Sequence, residues 1–154
     1  MAVYYLDSSA VVKAYASEPG SQWVQNLGDL IAGHLLHTSQ ITGPEVIAAL
    51  FRKVRMNSIR QAVAVRTAHN FRQTWEQRYQ VVAITPLVIE HAMLLAEQHT
   101  LRGYEAVHLA AALHINGYYQ QEGLPPLTFV SADLAQLAVA AALGLPSDNP
   151  DQHP

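Results

Sequence analysis

Four short apolar stretches alternate with long helical patterns, and this alternation restricts the chain more than any other feature of its sequence. Ala2-Val3-Tyr4-Tyr5-Leu6, His34-Leu35-Leu36-His37-Thr38, Val81-Val82-Ala83-Ile84 and Leu127-Thr128-Phe129-Val130 read as buried strands. Between them run helical patterns at 10–17, closed by Glu18-Pro19-Gly20, and at 21–33, capped by Ser21 with Trp23, Val24, Leu27, Leu30 and Ile31 inward. Others start at Thr42-Gly43-Pro44-Glu45 and cover 58–78, 85–99, 104–119 and 134–143. Strands separated by helices pair in parallel, with helices on both faces of the sheet. The expectation is one three-layer α/β/α domain over residues 1–146, followed by a disordered tail at 147–154, rich in Asp, Asn and Pro.

In an open parallel sheet, ligands bind beyond the carboxyl ends of the strands. Asp7 follows the first strand and Asp133 follows the last, each before a helix. Glu45 and Glu105 open two further helices that are apolar nearly all round. Each acid has an ordinary alternative: Asp7 and Asp133 as helix caps, Glu45 and Glu105 as first-turn acids favoured by the helix dipole. If the four converge, mutual repulsion raises their pKa values unless a cation neutralises them. A hard divalent ion held by oxygen ligands does this, and it points to phosphodiester hydrolysis. Asp7 as a phosphatase nucleophile fits poorly, because the position two residues on is Ser9, and no glycine-rich phosphate loop occurs.

Charge is unevenly placed. Seven of the nine Lys and Arg lie between residues 52 and 78, where Glu76 is the only acid, although the net charge is -3. Arg52, Lys53, Arg55 and Arg60 are candidate RNA contacts on that basic segment, which equally reads as a solvated helix face. Lys13 reads as a surface lysine or a phosphate contact. His91, His99, His108 and His114 lack the HExxH pattern and read as ordinary helix residues. The absence of cysteine excludes disulfides and thiolate zinc sites and fits a reducing cytoplasm. No signal peptide or membrane span is expected.

The segments Val3-Tyr4-Tyr5-Leu6-Asp7-Ser8-Ser9, Pro44-Glu45-Val46-Ile47-Ala48-Ala49-Leu50, Leu101-Arg102-Gly103-Tyr104-Glu105-Ala106-Val107-His108-Leu109-Ala110 and Val130-Ser131-Ala132-Asp133 resemble, in order and spacing, the four acidic motifs of PIN domains, and among these the VapC-like ribonuclease toxins of toxin–antitoxin pairs. The resemblance implies a Mg²⁺- or Mn²⁺-dependent endoribonuclease that inhibits translation. Asp7 and Glu105 would be the main metal ligands, Glu45 and Asp133 would complete the pocket, and Ser8 and Ser131 would support it. It also implies a homodimer and a small antitoxin whose C-terminal segment covers the site. One departure stands out: the third motif usually carries Asp, and here it is Glu105. That keeps a second reading open, a non-hydrolytic PIN-like module that binds RNA or protein.

Overall fold

A computed structural model describes residues 1–154. Five parallel strands, β1 (Val3–Leu6), β2 (Leu35–Ser39), β3 (Gln80–Val82), β4 (Thr128–Val130) and β5 (Ser147–Asp148), lie in the order β3-β2-β1-β4-β5. The helices are α1 (Ser8–Ala14), α2 (Ser21–Leu27), α3 (Thr42–Arg55), α4 (Gln61–Arg78), α5 (Pro86–Gln98), α6 (Gly103–Gln121) and α7 (Leu134–Ala142). Side chains alternate across a strand, so β1 feeds two cores. Val3 and Tyr5 join Leu95, Leu109, Phe129 and Ala140 on the face covered by α5, α6 and α7. Leu6 joins Val11, Val24, Val46, Leu50 and Phe71 on the face covered by α1 to α4. The expected three layers are therefore present. No helix is long and apolar enough to cross a membrane.

The strand order reverses between β1 and β4: the chain winds outward through β2 and β3, then returns to the other side of β1. Crevices at carboxyl ends open at such a switch point. Asp7 leaves β1 there, its N–H donating to the Val130 carbonyl (3.1 Å), and Ser131 leaves β4 beside it.

Four local expectations need correction. The second helix stops at Leu27, followed by Gly28, instead of running to Gly33, and Leu30 and Ile31 are 94% exposed. Asp29 Oδ1 accepts the Ile31 N–H (2.9 Å) and turns the chain out of the helix. Its cap position is taken by Gly20, not Ser21, in a left-handed conformation (φ 81°). A Cβ at Gly20 would lie 2.2 Å from the Pro150 carbonyl oxygen, so the residue must be glycine for the chain end to pack there.

That chain end is the third correction, because residues 147–154 are ordered. Phe129 N–H donates to Pro146 O and Ser131 N–H to Asp148 O, which makes β5 an edge strand; a 3₁₀ turn follows at Pro150–Gln152. Trp23 and His153 stack with ring centroids 4.2 Å apart. Lys13 is buried, neither a surface lysine nor a phosphate contact. Its Nζ pairs with Asp151 (2.7 Å) and Glu18 (3.5 Å) and donates to Pro19 O (2.9 Å). Composition suggested disorder, and these tertiary contacts override it.

Lys13→Ala should cost about 1–3 kcal/mol in a denaturant melt, less than a fully buried pair because Asp151 is half exposed, and should open 147–154 to limited proteolysis. The same cluster sets an acid limit. Burial alone would push the Glu18 carboxyl up, but Lys53 and Lys13 together hold it below its ordinary value of about 4.5. A lowered folded-state value contributes stability above the ordinary value, and that contribution disappears as pH falls through the folded value. Glu18→Gln should therefore flatten the loss of melting temperature below about pH 4.5.

Candidate active site

Asp7 is 5% exposed and carries two local duties. Its Oδ1 accepts the Ala10 N–H (2.9 Å), which caps α1, and the Ser9 hydroxyl (2.6 Å); its Oδ2 faces Ser131 Oγ (2.8 Å). Burial pushes the Asp7 carboxyl above the usual range, against His108 and the hydrogen bonds from Ser9, Ala10 and Ser131 that pull it down. Ser131 has one hydroxyl proton and two acceptors in reach, Asp7 Oδ2 and Gln136 Oε1 (3.0 Å), while it accepts the Asp133 N–H (3.0 Å). Gln136 presents its NH₂ to the Glu105 carbonyl (3.1 Å), which can only accept, and so turns its Oε1 toward Ser131. Ser131 and Gln136 thus link the Asp7 carboxyl to the Glu105 backbone.

Asp133 caps α7, its Oδ1 accepting the Gln136 N–H (2.9 Å). Glu105, 5% exposed, sits in the first turn of α6, where Oε2 accepts the Arg102 N–H (2.7 Å). Glu45, in the first turn of α3, is half-buried and places Oε2 3.3 Å from His108 Nε2. Burial would raise the Glu45 carboxyl, but His108 and Ser8 beside it bring it below the usual range.

The ordinary capping reading thus holds for Asp7 and Asp133, and Glu105 has a comparable duty at the start of its helix. The functional reading is not displaced by it. Glu105 and Asp133 each engage the protein through one oxygen and leave the other without a protein donor; Asp7 Oδ2 has one partner. No three His, Asp or Glu side chains converge tightly enough to enclose a cation by themselves. Ser131 and Gln136 link Asp7, Asp133 and the Glu105 backbone, and His108 links Glu45 to Ser8 next to Asp7; hard oxygens of this kind suit an ion that takes one or two carboxylates and keeps several waters.

Of the expected supporting serines, Ser131 touches Asp7, whereas Ser8 bonds Thr42 and His108 (3.3 and 3.0 Å). Ser9 takes the place beside Asp7 and also receives the Ala132 N–H (2.9 Å), tying α1 to the β4 end. Sequence reading did not single out Gln136, 1% exposed, and set His108, also 1% exposed, aside as a helix residue. The one signal for His108 was its place a single turn beyond Glu105 on α6.

Arg52, Arg55 and Arg60 are exposed at the α3–α4 turn, and Lys53 is engaged by Glu18. Ten residues of helix put Arg55 about 15 Å from Glu45 along the axis, so this basic cluster lies outside the acidic crevice. Five surface cavities of about 340–590 Å³ are lined by other residues, not by the acids. One, of about 470 Å³, lies between α3 and α4 beside Glu45, with Gly43, Pro44, Ile47, Phe71 and Trp75 in its wall.

Residues 4–119 match the model of the PIN domain. The chain is 35% identical over 115 residues to Ribonuclease VapC45 of Mycobacterium tuberculosis, covering 75% of this chain and 78% of that one. Its fold is similar to VapBC2 from Rickettsia felis bound to a DNA fragment from their promoter (TM-score 0.64, 13% identity, 96% of this chain and 98% of that one). It is likewise similar to a toxin-antitoxin complex from Klebsiella pneumoniae (TM-score 0.61, 14% identity, 96% and 97%).

Proposed function

The chain belongs to the PIN-domain family, and from that membership we propose that it is a Mg²⁺- or Mn²⁺-dependent endoribonuclease, the toxin of a toxin–antitoxin pair. The observation that carries this reading is Asp7. It is a buried carboxyl at the switch point, raised by desolvation, with no Lys or Arg side chain hydrogen-bonded to it. A divalent ion there supplies the missing positive charge, activates water and stabilises charge developing on the phosphodiester.

Asp7 and Glu105 are the ligands we assign, with Glu45 and Asp133 completing the shell. Ser9 and Ser131 fix the Asp7 carboxylate, and Gln136 ties the β4 end to α6, so that the crevice keeps its shape. Arg52, Arg55 and Arg60 hold the RNA backbone away from the cut, where phosphate contacts position the strand without selecting its sequence. A cognate antitoxin segment would cover the crevice, for which the apolar groove beside Glu45 offers a seat. Leu87, Met93 and Leu94 leave an apolar face on α5, which supports a homodimer. The cytoplasm, where RNA substrates are found, is the compartment that fits.

One observation favours the non-hydrolytic binding module: Asp7 and Asp133 cap helices and Glu105 bonds back to the start of its own, so these acids have work without any metal. The two readings part on total RNA. Discrete cleavage by the antitoxin-free protein with Mg²⁺ or Mn²⁺, lost in EDTA, is the expected result. RNA retention without cleavage under both metals would establish the module instead.

A further inference from the structure

His108 is 1% exposed, yet its ring joins three elements around the crevice. The Tyr5 hydroxyl of β1 lies 3.0 Å from Nδ1, and Ser8 Oγ of α1 (3.0 Å) and Glu45 Oε2 of α3 (3.3 Å) both lie against Nε2. The assignment of the acids as ligands gives this ring no task. A Glu45 carboxylate can only accept, so the nitrogen facing it carries the hydrogen. On the other side, the fully buried Tyr5 hydroxyl has Nδ1 in reach and offers it a proton. The core side of the ring therefore selects which nitrogen is protonated on the crevice side. Glu45, whose side chain is 28% exposed, would otherwise turn freely into solvent.

We propose that His108 is a positioning residue, held as its Nε2–H tautomer by Tyr5, that fixes the Glu45 carboxylate and the Ser8 hydroxyl at the mouth of the crevice beside Asp7. Its Nε2–H is shared between the Glu45 carboxylate and the Ser8 oxygen, and the Ser8 hydroxyl remains free to donate to Thr42. Hydrogen bonds behind ligating side chains commonly set metal affinity in this way, by orientation and not by contact with the ion. The inference rests on the metal-dependent ribonuclease reading.

Three measurements test it together. Long-range proton–nitrogen spectra of the metal-free protein, labelled at histidine, should show the His108 hydrogen on Nε2 in the wild type and a loss of that fixed tautomer in Tyr5→Phe. Calorimetric titration with Mn²⁺ should show about 10–100-fold weaker binding in His108→Ala. His108→Gln, whose amide nitrogen replaces Nε2, should recover most of the affinity, and His108→Asn, which replaces Nδ1, should not. In RNA cleavage, kcat should fall with Mn²⁺ affinity while KM for RNA holds. A wild-type Nδ1–H tautomer, or unchanged Mn²⁺ affinity and kcat in His108→Ala, overturns the inference and leaves the ribonuclease reading standing. A wild type that neither binds Mn²⁺ nor cuts RNA overturns that reading, and this inference with it.

Discussion

Asp7→Asn should abolish metal-dependent RNA cleavage and, in EDTA at neutral pH, melt at a higher temperature than the wild type. The loss of rate should exceed the 10–100-fold typical of groups that merely support a ligand, because Asp7 is assigned as a ligand itself. The gain in stability follows from the hydrogen bonds. Asparagine caps helices as well as aspartate, so its oxygen keeps the Ala10 N–H and the Ser9 hydroxyl. Its NH₂ replaces Oδ2 and donates to Ser131 Oγ, freeing the Ser131 proton for Gln136. The variant thus completes this network without a buried charge, which desolvation disfavours at Asp7.

Because burial raises the folded-state value of Asp7, its contribution to stability is complete below the ordinary carboxylate value and lost as pH rises through the folded value. The variant does not lose it. At neutral pH the difference should reach about 1–2 kcal/mol, or about 2–8 °C in a chain of this size. Mn²⁺ should raise the melting temperature of the wild type and leave that of the variant unmoved. A variant less stable than the wild type in EDTA would mean that the ionised carboxylate is already satisfied by its neighbours.

The same chemistry explains what could be read from the sequence. Apolar strands alternating with helical patterns located β1 to β4 within a residue or two, since burial on two faces leaves a continuous apolar mark. Ser147–Asp148 has no such mark; β5 exists because the β4 backbone donates to Pro146 O and Asp148 O, a bond any sequence can make. Leu30 and Ile31 keep helical spacing without a partner surface, and so drew the second helix past Gly28. The acids were visible because carboxylates at strand and helix ends are few. Gln136 and His108 were not, because a glutamine in an Ala-rich helix and one histidine among eight gain meaning only from the other elements that meet them.

Glu105 lets the structural and the chemical duty of one acid be separated. Glu105→Gln keeps an oxygen for the Arg102 N–H, as glutamine does at the third position of a capping box, so its melting temperature in EDTA should match the wild type. Removing the charge should still lower cleavage by more than the 10–100-fold typical of supporting groups, because Glu105 is assigned as a ligand itself. Glu105→Ala should lose both, with about 1 kcal/mol of stability lost along with the hydrogen bond to Arg102. Aspartate at this position keeps the charge but is one methylene too short to serve both Arg102 N and the crevice. In the wild type the 2.7 Å bond to Arg102 draws the carboxylate back toward its own helix. Glu105→Asp should therefore trade about 1 kcal/mol of stability for tighter Mn²⁺ binding. Weaker Mn²⁺ binding would show instead that the longer arm is what reaches the ion, and that the bond to Arg102 is part of how it is aimed.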